Sequence, residues 1–207
     1  MAATILVTGF GPFPGAPFNP TGPLVERLAR LRRLALANEK FVLHIFPTSY
    51  AAVDRDLPKL IERHKPDALL MFGLAPRART LRIETRARNT VSLLPDAGGI
   101  ALRRLTIAAG GPAALAMPAP ARRLLAAVRA AGVPATLSRD AGRYLCNYLC
   151  WRAAEAAGKK GGPRLAAFVH VPKIARTARR PGKRRKLTLG DLTRAGAAVL
   201  VAVACHV

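Results

Sequence analysis

The chain has 207 residues and carries 34 Lys and Arg against 11 Asp and Glu, a formal net charge of +23. Its length suits one compact domain over residues 1–207, because no Ser- or Gly-rich spacer, internal repeat or heptad run divides it. Three cysteines, Cys146, Cys150 and Cys205, lack paired C-x-x-C spacing, which argues against a disulfide framework or a zinc knuckle, and no metal is implied.

The chain opens on an apolar strand, residues 4–8, with no basic leader before it, so a cytoplasmic protein is expected. The loop Gly9-Phe-Gly-Pro-Phe-Pro-Gly15 follows. It fails as a phosphate loop, since neither G-x-G-x-x-G leading into a helix nor G-x-x-x-x-G-K-[ST] is present and prolines remove N–H donors. Its two aromatics suit either the wall of an apolar slot or a core beneath a loop. A helix over 22–36, a strand over 41–46, a helix over 50–64 and a strand over 68–72 complete a βαβαβ start. In a more irregular centre, residues 80–85 read as a strand in which Glu84 alternates with Arg82 and Arg86. Taken alone, Glu84 also suits a salt-bridged strand residue. A helix over 119–131 leads on.

Residues 138–147, SRDAGRYLCN, carry the sharpest chemical signal. A strand over 133–137 breaks at Asp140-Ala-Gly142, and an Ala-rich amphipathic helix over 144–158 then bears Cys146 in its first turn. Unpaired N–H groups and the positive end of the helix dipole favour a thiolate there. A buried structural cysteine is the competing reading, and a partner base separates the two. Cys150, one turn later, is either a resolving thiol or a residue facing the core.

Such a base stands near the end of the apolar strand over 165–172, where His170 lies at the carboxyl edge expected for catalytic groups in parallel sheets. Singly it also suits a hydrogen-bonded core histidine. Cys146, His170 and Glu84 together make a thiolate, a proton shuttle and an orienting acid, a recognised acyl-transfer set. Residues 176–186, RTARRPGKRRK, form a basic loop, and Thr188 with Asp191 gives a capping signal for a last helix over 189–203. The longest apolar stretch, 195–205, is too short for a membrane span. His44 reads as structural, His64 ends a polar helix and His206 lies at the tail; none has metal-ligand spacing. The expected fold is α/β, a three-layer α/β/α sandwich on a mostly parallel, twisted central sheet, with the loops after residues 8, 46 and 72 on one edge beside His170.

Several long motifs, in order, resemble the pyroglutamyl peptidase type I family, also called pyrrolidone-carboxylate peptidases or C15 cysteine peptidases. They are Ile5-Leu-Val-Thr-Gly-Phe-Gly-Pro-Phe13 with Asn19-Pro20, Phe46-Pro-Thr-Ser-Tyr50, Gly73-Leu-Ala-Pro76, Glu84, Asn89, Pro95-Asp96, Gly111-Pro112, Ala131-Gly-Val-Pro134, the SRDAGRYLCN block and Phe168-Val-His-Val-Pro172. The resemblance implies a cysteine exopeptidase, an omega peptidase that removes N-terminal pyroglutamate through a thioester acyl-enzyme and needs no cofactor. It puts Glu84, Cys146 and His170 in the catalytic positions and Asp96 as a supporting acid. Phe10 and Phe13 would sandwich the pyrrolidone ring, with Asn19, Thr48, Leu74 and Leu145 also binding substrate. Its implied partners are pyroglutamyl peptides and further copies of the chain, as a dimer or tetramer.

Three departures mark this chain as a divergent member. Thr85 stands where the family usually has Arg after the catalytic Glu, Pro76-Arg-Ala-Arg79 replaces a common Gly-Gly-Arg loop, and Ala97 replaces Asn after Pro95-Asp96. The charge, concentrated in 176–186, suggests either a solvated loop, a polyanion- or nucleic-acid-binding segment, or a device that selects acidic residues downstream of pyroglutamate. The alternative function is therefore a catalytically weak relative kept as a basic binding protein.

Overall fold

The computed structural model describes residues 2–31, 34–175 and 186–207. The basic run 176–186 lies outside them except for Lys186. A six-stranded sheet is built from β1 (Thr4–Phe10), β2 (Lys40–Phe46), β3 (Ala68–Leu74), β4 (Leu81–Glu84), β7 (Ala135–Ser138) and β8 (Leu165–Val171), in the order β2-β1-β3-β8-β4-β7. Strands β2, β1, β3 and β8 run parallel, and β4 runs antiparallel to β8 while pairing parallel with β7. A separate two-stranded ribbon, β5 (Arg86–Arg88) and β6 (Ala114–Ala116), occupies the centre of the chain, where the sequence has no regular pattern.

Five helices cover the sheet: α1 (Thr21–Ala29), α2 (Tyr50–His64), α3 (Ala121–Ala130), α4 (Leu145–Ala157) and α5 (Leu189–Ala204). The two cores separate by strand parity, since successive side chains in a strand point to opposite faces. Ile5 and Val7, Leu70 and Phe72, and Val169 and Val171 pack with α1, α3 and α5 on one face. Leu6 and Phe10, Leu69 and Met71, and Ala166 and Phe168 pack with α2 and α4 on the other. Three layers result, as expected. The near-continuous apolar runs of β3 and β8 follow from burial on both faces.

Helix α1 ends earlier than its apolar spacing predicts. It stops at Ala29, and a short 3₁₀ turn, Leu34–Leu36, brings Leu36 into the core and leaves Leu34 exposed. The final helix starts where the capping signal puts it: the Thr188 hydroxyl accepts from the Asp191 N–H at 3.1 Å, and the Asp191 carboxylate accepts from the Thr188 N–H at 2.8 Å. Thr188→Ala should lower stability by about 1 kcal/mol. A urea unfolding midpoint unchanged from the parent chain would show that this cap contributes nothing.

Parity also decides which polar residues meet. His170 follows Phe168 on the α4 side, Arg82 lies directly opposite His170 in the antiparallel ladder, and Glu84 shares the face of Arg82. Gly73 lies beside His170 in the parallel pair. Among the described residues, no helix is long and apolar enough to cross a membrane.

Candidate active site

The chain turns from β7 into α4 through a short polar hinge. The Ser138 hydroxyl accepts from the Asp140 N–H at 3.2 Å, the Asp140 carboxylate accepts from the Gly142 N–H at 3.0 Å, and Gly142 adopts φ 84°. That left-handed turn favours glycine. It delivers Cys146 as the second residue of α4, half-buried, behind an extended Tyr144 that supplies no side-chain cap. The first-turn N–H groups at that helix end therefore have no side-chain cap. Asn147, fully buried, anchors the turn: its side chain accepts from the Arg88 N–H at 2.8 Å and donates to the carbonyls of Arg88 and Thr90.

His170 and Glu84 form the second part of the site. The His170 Nδ1 lies 2.8 Å from Glu84 Oε1, with the carboxylate fully buried and the imidazole 5% exposed. The Phe168 ring meets the imidazole edge-on at 4.9 Å. Burial opposes a charge on His170, but the Cys146 sulfur, by charge and hydrogen bond, and the Glu84 carboxylate outweigh it, raising the pKa to about 9. Glu84 Oε2 is buried with no hydrogen-bond partner among the described residues. The three residues singled out from sequence thus meet at one point.

Cys146 and His170 open onto a cavity of about 370 Å³, with Glu84 buried behind the imidazole. Phe10, Phe13, Asn19, Thr48, Leu74 and Leu145 all line it, together with Cys146 and His170. Phe10 is buried against Phe46 at 5.9 Å, whereas Phe13 is half-buried in the loop. Asn19 is committed to the loop itself, donating to the Gly11 carbonyl at 3.0 Å and accepting from the Thr21 N–H at 3.1 Å. Thr48 donates to the same carbonyl at 3.3 Å. These bonds hold the aromatic loop against β1 and the start of α2.

Asp96 is not on the cavity wall. Its carboxylate accepts from the N–H groups of Tyr50, at the start of α2, and of Gly98 and Ile100. Burial works against its charge, but hydrogen bonds from Ile100, Ser49, Tyr50 and Gly98 hold the carboxyl below its usual range. It reaches the site indirectly, because the adjoining Pro95 carbonyl accepts from the Tyr144 hydroxyl at 2.9 Å.

A family model described as pyroglutamyl peptidase matches residues 3–203. The chain belongs to that family. It is thereby a cysteine peptidase of the C15 type. The pyrrolidone-carboxylate peptidase of Halalkalibacterium halodurans is 35% identical over 196 residues, 94% of this chain and 96% of the relative. That of Pyrococcus furiosus is 33% identical over 172 residues, 82% of this chain and 81% of the relative. The crystal structure of Bacillus amyloliquefaciens pyroglutamyl peptidase I superposes with a TM-score of 0.84 at 28% identity, over 99% of this chain and 98% of that one. The mostly parallel α/β fold is therefore the fold of this peptidase family.

Three residues of this family member's site are not announced by the sequence. Gly73 reads only as part of a motif, Asn147 only as the end of one, and Arg82 only as a neighbour of Glu84. Each acts through partners far away in the chain. Around the departing position, the Thr85 hydroxyl donates to the Ser138 carbonyl at 2.9 Å, Arg86 donates to the Arg139 carbonyl at 2.8 Å, and Arg88 pairs with Asp140 at 3.3 Å. All three brace the turn that precedes Cys146.

Proposed function

We propose that this chain hydrolyses N-terminal pyroglutamate from peptides, with Cys146 as nucleophile, His170 as proton shuttle and Glu84 as the acid that orients it. The observation carrying this reading is the buried 2.8 Å pair of Glu84 with His170, whose imidazole lines, with Cys146, a cavity walled by two phenylalanines. With its pKa raised to about 9, His170 carries a proton at neutral pH beside the Cys146 sulfur. The sulfur attacks the carbonyl that joins pyroglutamate to the next residue. Backbone N–H groups at the start of α4 stabilise the tetrahedral oxyanion, at about 3 kcal/mol per donor. His170 then protonates the departing amine, and a water that it deprotonates releases pyroglutamate from the thioester.

Selectivity follows from the apolar wall. A lactam is neutral and flat and suits a slot between Phe10 and Phe13, whereas an ordinary N-terminus carries an ammonium that such a slot cannot solvate. The test is hydrolysis of a fluorogenic pyroglutamyl amide beside the unblocked alanyl amide. Release from the first alone is expected. Equal release from both, or none from reduced and folded protein, would overturn the reading.

Gly73 gives a sharper check of the geometry. A Cβ there would stand 2.7 Å from the Cys146 sulfur and 2.5 Å from Phe168 Cζ, closer than real side chains approach. Gly73→Ala should therefore lower kcat by about 10²-fold through misplacement of the sulfur. It should also destabilise the fold by about 1–3 kcal/mol through overpacking. A folded Gly73→Ala protein with the parent kcat would mean that the sulfur has freedom the packing denies it.

A further inference from the structure

Resting on the function proposed above, we propose that Arg82, with Arg143, forms a subsite for a carboxylate on the residue that follows pyroglutamate. The two arginines and Asp140 are the permanently charged side chains on the cavity wall, and Asp140 is already paired with Arg88 at 3.3 Å. Neither Arg82 nor Arg143 has a side-chain ion pair or hydrogen bond among the described residues. Arg82 is half-buried and Arg143 exposed. The cavity therefore presents two uncommitted guanidinium groups beside the slot walled by Phe10 and Phe13.

Their position relative to the chemistry gives them a role. His170 must protonate the leaving amine, so the residue released lies on the His170 side of the Cys146 sulfur. Arg82 is the direct cross-strand partner of His170 in the β4–β8 ladder, and such partners project from the same face with Cβ atoms about 4.5–5.5 Å apart. A guanidinium projecting from that point meets the leaving residue and not the pyroglutamyl ring. Planar guanidinium groups bind carboxylates through two parallel N–H···O bonds, which is the chemistry that a side-chain or C-terminal carboxylate offers. The basic run 176–186 suggests such selectivity from sequence, but two arginines of the cavity wall itself already supply the charge.

The experiment compares kcat/KM for four peptides: pyroglutamyl-aspartyl amide, pyroglutamyl-asparaginyl amide, pyroglutamyl-alanine with a free C-terminus and pyroglutamyl-alaninamide. The parent protein should prefer the carboxylate member of at least one pair by about tenfold, less at high salt. Preference within the aspartyl pair identifies a side-chain carboxylate, and within the alanine pair a C-terminal one. Arg82→Gln should bring that ratio close to one, and Arg82→Glu should reverse it in favour of the neutral member of the pair. Because each ratio is taken within one protein, a general loss of rate in a variant cancels out of it. Ratios near one in the parent, with both neutral peptides cleaved, overturn this subsite and leave the proposed function standing; no cleavage of any pyroglutamyl peptide overturns both.

Discussion

Replacing Cys146 by Ala should lower kcat/KM on a pyroglutamyl amide by about 10⁴-fold or more, the scale seen when a nucleophile is removed from a triad. Neither of the other two thiols lines the cavity. Cys205 is exposed at the end of α5, away from the cavity, so Cys205→Ala should leave the rate unchanged. Cys150 lies one turn beyond Cys146, but it is wholly buried, and burial together with the neighbouring Cys146 and Glu84 charges pushes its thiol well above the usual range. It stays protonated and packed into the core beneath α4. Cys150→Ala should therefore appear as a loss of stability of about 1 kcal/mol in urea unfolding, without the loss of turnover seen at Cys146. Initial rates of the three variants, each checked for folding, separate the roles. A Cys146→Ala protein within tenfold of the parent rate would remove Cys146 from the nucleophile's role.

The parts of the fold legible in the sequence are those written locally. Helix α2 is legible at both limits, Tyr50 and His64, because an apolar face begins after Ser49 and the chain turns at Lys65, whose φ of 44° precedes Pro66. The start of α4 is legible because strand, turn and helix signals fall within ten residues around Gly142. The direction of β4 is not, since four alternating residues read the same in parallel and antiparallel pairing. The β5–β6 ribbon escapes for a similar reason: its three-residue strands are joined through a long irregular segment and carry no local pattern. In the site, residue types announce Cys146, His170 and Glu84, but their meeting depends on β4 lying beside β8, a step that only the family resemblance implies. Gly73 and Arg82 matter because of what lies across the sheet from them, which no local pattern records. Asp96 shows the converse, a residue whose family position suggests the site and whose hydrogen bonds tie it to the start of α2 and the adjoining loop.

Glu84→Gln should cost about 10³–10⁴-fold in kcat, comparable to neutralising the orienting acid of a serine protease triad. The isosteric amide fits the same space, so the fold is expected to survive. What changes is the proton. The carboxylate accepts from His170 Nδ1 at 2.8 Å and so leaves Nε2 free to exchange a proton with sulfur, whereas a glutamine amide that donates to Nδ1 fixes the proton on the wrong nitrogen. The pH profile should report the same loss. In the parent, Cys146 and Glu84 raise the His170 pKa from an ordinary 6.5 to about 9 against the effect of burial. The active form, with the imidazole protonated, therefore persists through neutral pH, and kcat/KM should fall on the alkaline side near pH 9 as the coupled pair loses its proton. The stability that this raised pKa contributes has the same sign: it is fully present below pH 6.5 and is lost as pH rises through about 9. Removing the Glu84 charge takes away one of the two groups that hold the proton, so the alkaline limb of Glu84→Gln should move toward lower pH. Measuring kcat/KM from pH 5 to 10 for both proteins decides the point. An alkaline limb that stays in place while the rate falls would mean that Glu84 acts only by packing, and the orienting role would go with it.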